Sequence, residues 1–240
     1  MKRRNFILSS LLAAALPVRS VGSPVPKFKR SPFSLGVASG DCTPDGFVLW
    51  TRVAPNPMEN GGGAGFADLP VFWELSLDPQ MKKIIRSGWV SASPKLAHSV
   101  HVDLSGLESN HVYWYRFQCG GHFSRIGKTK TLPLEINDSS KIKFVTTSCQ
   151  NYTHGYFVAY EYMLEDEPDF ILHLGDYIYD TSFGETFRTH ETESPPQSLA
   201  EFRLRHALYK TDEHLQNAHA KVPFFAMIDN HDAVEDNSTE

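Results

Sequence analysis

The chain has few cysteines: Cys42, Cys119 and Cys149 are the only three in 240 residues. That is too few for a disulfide framework, and their positions lack the paired short spacing of a zinc ribbon. Past the N-terminus no apolar run reaches the roughly 18 residues that span a bilayer, so no transmembrane segment is expected. There is no basic excess either. A formal net charge of −5 gives no electrostatic footprint for stable nucleic-acid binding or for an anionic membrane. A phosphate-cradling loop is missing too, because Gly36, Gly40 and Asp45-Gly46 precede no helical pattern and read as turn chemistry. What is there, 41% hydrophobic and 21% charged residues, fits a globular protein of one large or two smaller domains.

Residues 1–22 read as an export signal. Lys2-Arg3-Arg4 precedes the apolar Phe6-Ile7-Leu8 and Leu11 to Leu16, Pro17 closes the run, and the small Ser20 and Gly22 follow. Arg3-Arg4-Asn5-Phe6-Ile7 resembles a twin-arginine signal, with a general secretory signal carrying an incidental arginine pair as the alternative. The expected partner is the twin-arginine export machinery, and the mature chain is expected to work outside the cytoplasm, periplasmic or secreted.

Residues 33–135 alternate short strand patterns with turn residues. Candidate strands are Gly46–Arg52, Val71–Leu77, Gly88–Val90, His98–Leu104 and Val112–Gln118. Val100, Val102 and Leu104 alternate with His101 and Asp103, the period of a half-buried strand. With no amphipathic helix among them, they suggest an antiparallel β-sandwich of fibronectin or immunoglobulin type. Cys42 and Cys119 either pair across it or stay free, since sequence does not supply their separation. His98, His101, His111 and His122 read as solvent-facing strand residues.

Residues 141–240 have a different rhythm. Lys141–Thr147 is a β-branched strand, Gly155–Asp166 carries Tyr156, Ala159, Tyr160 and Met163 at helical spacing, and Phe170–Leu174 is a second strand. Strand, helix, strand makes a βαβ unit with parallel strands. Ser198-Leu199-Ala200-Glu201 is a capping box opening a helix to about Lys210. A short helix over Asp212–Ala220 and a third strand over Pro223–Ile228 follow.

Each of the three strands ends in compact polar chemistry: Cys149, then Asp176 with Tyr179, then Asn230 with His231. Right-handed crossovers bring such ends to one edge of a sheet, where α/β folds place ligands. A thiolate, a carboxylate, a phenolate and an amide oxygen converging there are metal ligands of mixed hardness. Taken one by one, Asp176 reads equally as a turn cap, Cys149 as a small core residue and Asn230 as a turn residue. Their common placement favours a site.

Gly175-Asp176 with Asn230-His231-Asp232 is similar to the calcineurin-like metallophosphoesterase signature. The fuller set resembles the alkaline phosphatase D (PhoD-like) family more closely: Gly36–Asp41, Val48–Arg52, Ser148-Cys149-Gln150, His173–Tyr179, Arg205–Tyr209 and Asn230-His231-Asp232. The resemblance implies a fibronectin-like N-terminal domain followed by an αββα metallophosphatase sandwich, of which this sequence would hold the first half only. It implies an exported phosphoric ester hydrolase in which two metals activate water for in-line attack. In that scheme Asp176 bridges the ions, Cys149 and Tyr179 bind Fe(3+), Asn230 binds Ca(2+), and His231 serves the leaving oxygen. The family usually shows Trp-Asp-Asp-His-Glu where this chain has Ile228-Asp229-Asn230-His231-Asp232. Family members also continue past the equivalent of Glu240 with further ligands, so a truncated form, inactive by itself, is expected. Two other readings stand beside it. One is a non-catalytic exported binding protein with a degenerate phosphatase domain; the other is a cysteine hydrolase pairing Cys149 with His154 or His231.

Overall fold

A computed structural model describes residues 27–135 and 141–233. The expected export segment at 1–22 lies outside the described residues. Eight strands occupy the first half: β1 (Val37–Thr43), β2 (Gly46–Arg52), β3 (Leu69–Ser76), β4 (Ile84–Ala92), β5 (Ser99–Leu104), β6 (Val112–Cys119), β7 (His122–Phe123) and β8 (Gly127–Lys130). The second half holds β9 (Phe144–Thr147), α1 (Ala159–Glu165), β10 (Phe170–His173), α2 (Leu199–Tyr209), α3 (Glu213–Lys221) and β11 (Phe224–Ala226).

The strands form two sheets. One has the order β4-β3-β6-β7, with β8 also paired to β6; the other runs β5-β2-β1-β11-β10-β9. The alternation of β5 and β6 works as its period requires: Val100, Val102, Tyr113, Tyr115 and Phe117 are buried while their neighbours are not. These residues join Val37, Leu49, Val71 and Leu75 in one core between the sheets, each side chain contributing about 1.5–3 kcal/mol by leaving water. Cys42 and Cys119 are free thiols buried in that core, so no disulfide crosses it. Burial pushes both up to about 11, which keeps them protonated. His98 departs from expectation. It is fully buried, with its ring nitrogens 3.0 Å from the carbonyls of Ala92 and Gly65, because it sits where the chain turns into β5.

The six-stranded sheet runs through both halves of the chain. β1 lies antiparallel to β2 and parallel to β11, Gly40 facing Phe224. A Cβ at Gly40 would come within 2.5 Å of the Phe224 carbonyl oxygen, so this glycine permits strand pairing rather than making a turn.

β10 is flanked by β9 and β11, both parallel to it. The intervening helices are α1 on one crossover and α2 with α3 on the other. Phe157, Tyr160, Ile171, Tyr209, Leu215, Ala218 and Phe224 pack as the core beneath these helices. The capping box of α2 is present, Ser198 accepting from Glu201 N and Glu201 reaching back to the Ser198 backbone. Asp212 caps α3 through His214 N and Leu215 N. α1 starts later than its spacing predicts. Phe157 N is committed to Asp212 Oδ2 at 3.3 Å, and Tyr156 is exposed rather than part of the buried face. Among the described residues no helix is long and apolar enough to cross a membrane.

Candidate functional site

Because β9, β10 and β11 are parallel, their C-terminal ends meet at one edge. Leu174 N donates to Thr147 O at 2.8 Å, Cys149 N to Gly175 O at 3.3 Å, and Met227 N to His173 O at 2.9 Å. The chain leaves two of these strands through strained residues: Cys149 and Asp176 have φ of 57° and 52°, a region that side-chain-bearing residues occupy at a cost of about 1–3 kcal/mol. Between them Gly175, at φ 107°, leaves room for the β11 loop, since a Cβ there would lie 2.5 Å from the Asp229 Cβ.

Asp176 is the hub. Cys149 Sγ lies 3.4 Å and Tyr179 OH 3.3 Å from its Oδ2, while the backbone N–H of His231 donates to its Oδ1 at 3.2 Å. Residues from all three strand ends therefore meet on one carboxylate, itself buried. Burial, then the Asp176 charge, pushes the Tyr179 phenol well above its ordinary range. A thiol, a phenol and a carboxylate at such separations offer mixed sulfur and oxygen ligands of the kind that suit a metal ion. Among the described residues no group of three His, Cys, Asp or Glu could hold a metal by itself; the set here depends on the tyrosine.

Asn230 stands at the rim. It is exposed and its backbone N–H donates to Asp229 Oδ1 at 2.8 Å; among the described residues no hydrogen bond ties its side chain to Asp176, Cys149 or Tyr179. His231 is more closely held. Its Nδ1 lies 2.7 Å from Asp180 Oδ1 and its ring stacks on Tyr179 with centroids 4.4 Å apart. Asp232 fixes the turn, accepting from Ile178 N and Asp229 N at 3.0 Å each. The geometry does not support a cysteine–histidine nucleophile. The Cys149 thiol meets a carboxylate, His231 is engaged with Asp180, and His154 Nε2 lies 2.7 Å from Phe183 O.

Three contributors carry no role in the sequence reading. Asp180, the partner of His231, lies four residues after Asp176, but its partner is far along the chain. Arg205, fully buried on α2, pairs with Glu191 at 2.8 Å and donates from Nη1 to the carbonyls of Tyr179 and Asp180. One turn on, Tyr209 OH receives the N–H groups of Tyr152 and Tyr179 at 3.1 and 3.0 Å. Their i, i+4 spacing on a capped helix was the available signal.

Strained residues at the ends of parallel strands converge on one buried carboxylate, at the edge where α/β sheets place ligands. Two family models cover most of the chain: the PhoD-like phosphatase N-terminal domain over residues 19–133 and the PhoD-like phosphatase over residues 144–240. The chain belongs to the PhoD-like phosphatase family. It is 44% identical to alkaline phosphatase D of Bacillus subtilis (strain 168), an alignment covering 98% of this chain and 42% of that protein. It superposes on the solved structure of PhoD with a TM-score of 0.81 at 46% identity, covering 86% of this chain and 40% of that one. The chain thus spans about two-fifths of the length of these relatives.

Proposed function

We propose that this chain contributes to an exported, metal-dependent phosphoric ester hydrolase, a phosphomonoesterase or phosphodiesterase acting by in-line attack of water on phosphorus. The observation that carries the reading is the convergence of Cys149, Tyr179 and the His231 backbone on the two oxygens of Asp176. Cys149, Tyr179 and Asp176 would hold Fe(3+), for which anionic sulfur and phenolate oxygen are suited ligands. Asp176 and Asn230 would hold Ca(2+), a hard cation that prefers oxygen. When bound, such a pair supplies Lewis-acid charge to the phosphoryl oxygens and to the attacking water.

The remaining chemistry belongs to the protein. With His231 Nδ1 2.7 Å from Asp180 Oδ1, a doubly protonated ring would donate from Nδ1 to that carboxylate and hand its Nε2 proton to the departing ester oxygen, leaving the neutral imidazole with its remaining proton on Nδ1. Stacking on Tyr179 fixes the plane of the ring. Arg205 and Tyr209 hold the Tyr179–Asp180 backbone from behind, so that the phenol and the histidine's partner keep their places. The fibronectin-like character of the first domain (33–135), the αββα layout of the second (141–240) and export by the twin-arginine route belong to the same proposal.

The test is hydrolysis of an aryl phosphate by the iron- and calcium-loaded full-length protein that contains this chain, read together with its visible spectrum. Turnover with a charge-transfer band that is lost in Cys149→Ala and shifted or lost in Tyr179→Phe supports the reading. Loaded protein with neither turnover nor a band contradicts it.

A further inference from the structure

Beside α2 is a cavity of about 580 Å³ between that helix and the first half of the chain. Arg52 at the end of β2 and Arg203 on α2 line it, together with the Asn60–Gly65 turn, Phe66, Pro94 and Leu204. The same two arginines also line an adjacent space of about 260 Å³ beside Trp50 and Lys210.

Arg52 is 6% exposed, yet neither it nor Arg203 has a carboxylate within 4 Å among the described residues. Arg52 donates from Nε to Ala97 O at 2.8 Å and from Nη1 to Arg203 O at 3.3 Å. Its Nη2 makes no hydrogen bond among the described residues and lies beside the Gly62 turn, where a Cβ would come within 3.5 Å of it. Arg203 is anchored through Nη2 to Lys95 O at 2.8 Å, leaving its other nitrogens open. Two acids line the cavity. Glu201 is spent on capping α2, accepting from Gln197 N and Ser198 N, and Glu59 is exposed at the rim. Among the described residues the pair therefore lacks a counter-ion; burial, and then the Arg203 charge, pulls Arg52 below its ordinary range.

Buried guanidinium groups normally meet carboxylate or phosphate, whose oxygens match their fork of donors. The cavity is larger than a bare oxyanion and falls within the range of small-molecule pockets, about 300–1,000 Å³. Phe66, Pro94 and Leu204 give it apolar walls, and the glycine turn adds no side chains.

We propose that this cleft binds a small organic phosphate or phosphonate, its dianionic head on Arg52 and Arg203 and its body against the apolar wall. The site is separate from the Asp176 cluster, and the proposal does not depend on hydrolytic activity. The experiment is calorimetric titration of the full chain with phenylphosphonate, whose carbon–phosphorus bond resists hydrolysis. It uses five forms: the unaltered protein, Asp176→Asn, Arg203→Ala, the double variant Asp176→Asn/Arg203→Ala, and Asp176→Asn/Arg203→Lys. Asp176→Asn removes binding at the strand-end site, so saturable binding that survives in it reports the cleft. Adding Arg203→Ala should then weaken that binding by about tenfold or more, the weight of a charge-assisted contact, while the ligand-free thermal midpoint stays in place. Arg203→Lys should recover only part of the affinity, because a point charge lacks the fork. Absence of saturable binding in Asp176→Asn overturns the proposal, as does Asp176→Asn/Arg203→Ala binding as tightly as Asp176→Asn. Succinate binding as tightly as phenylphosphonate would overturn the phosphoryl assignment.

Discussion

Asp180 and His231 give the sharpest residue-scale expectation. Under the proposed chemistry His231→Ala removes the proton donor and should lower kcat by about 10²–10⁴-fold. Asp180→Asn keeps the ring but changes its hydrogen-bond partner; kcat should fall by about 10–100-fold, as when a group that orients a site residue is removed. KM and metal content should hold. Steady-state kinetics on an aryl phosphate checks both, and an Asp180→Asn enzyme with unaltered kcat would reduce the pair to a structural contact. The hub itself was legible in sequence because Cys149, Asp176 and His231 each follow an apolar strand, and parallel strands bring such positions together. Asp180 was not, because nothing local distinguishes an aspartate that meets a histidine 51 residues further on. His98 misled for a similar reason: strand alternation says nothing about a residue whose positive φ, 58°, turns it inward just before the strand begins.

At the scale of elements, α2 is the brace between the site and the first half of the chain. Arg205 pairs with Glu191 in a nearly dry environment, with side-chain exposures of 0% and 9%. Arg205→Met leaves that carboxylate unpaired and should cost about 3–5 kcal/mol, whereas Arg205→Met with Glu191→Leu should recover part of the loss. Denaturant midpoints of the two variants decide it, and equal midpoints would mean that the pair is not coupled. α2 and α3 were readable because their caps are local, Ser198 with Glu201 and Asp212 with its own next turn. α1 was readable only in part. Its first turn is overridden by the contact from Phe157 N to Asp212, which no window along the sequence contains. β1 was invisible as a strand because Gly40 breaks its pattern, and the strand that requires the glycine, β11, lies at the other end of the described chain.

Across the whole molecule that β1–β11 contact joins the two halves into one sheet. Gly40→Ala would push a methyl against the Phe224 carbonyl and should cost about 1–3 kcal/mol, read as a lower thermal midpoint for the entire chain. A wild-type midpoint would show that the junction yields freely. Two histidines shielded from solvent, the half-buried His190 and the buried His219, contribute to the pH response. His190 is pulled down to about 4, first by burial and then by the Arg205 charge. His219 is lowered well below its ordinary value by burial, then by Lys210 and His173, and its Nδ1 has no partner among the described residues. Both are neutral in the folded protein but take up protons near pH 6.5 when unfolded. The unfolded state therefore binds more protons below that pH, and stability falls as pH drops from about 6.5 towards 4. Thermal midpoints across this window should decline, less steeply in His190→Gln; a flat profile in the unaltered protein contradicts it.

The most direct test of the central claim, that Asp176 joins two metal sites at the strand ends, is metal content by mass spectrometry on iron- and calcium-loaded protein. Cys149→Ala should lose iron and keep calcium, Asn230→Ala should lose calcium and keep iron, and Asp176→Asn should lose both. An Asp176→Asn protein that keeps both ions at the unaltered level would contradict the account.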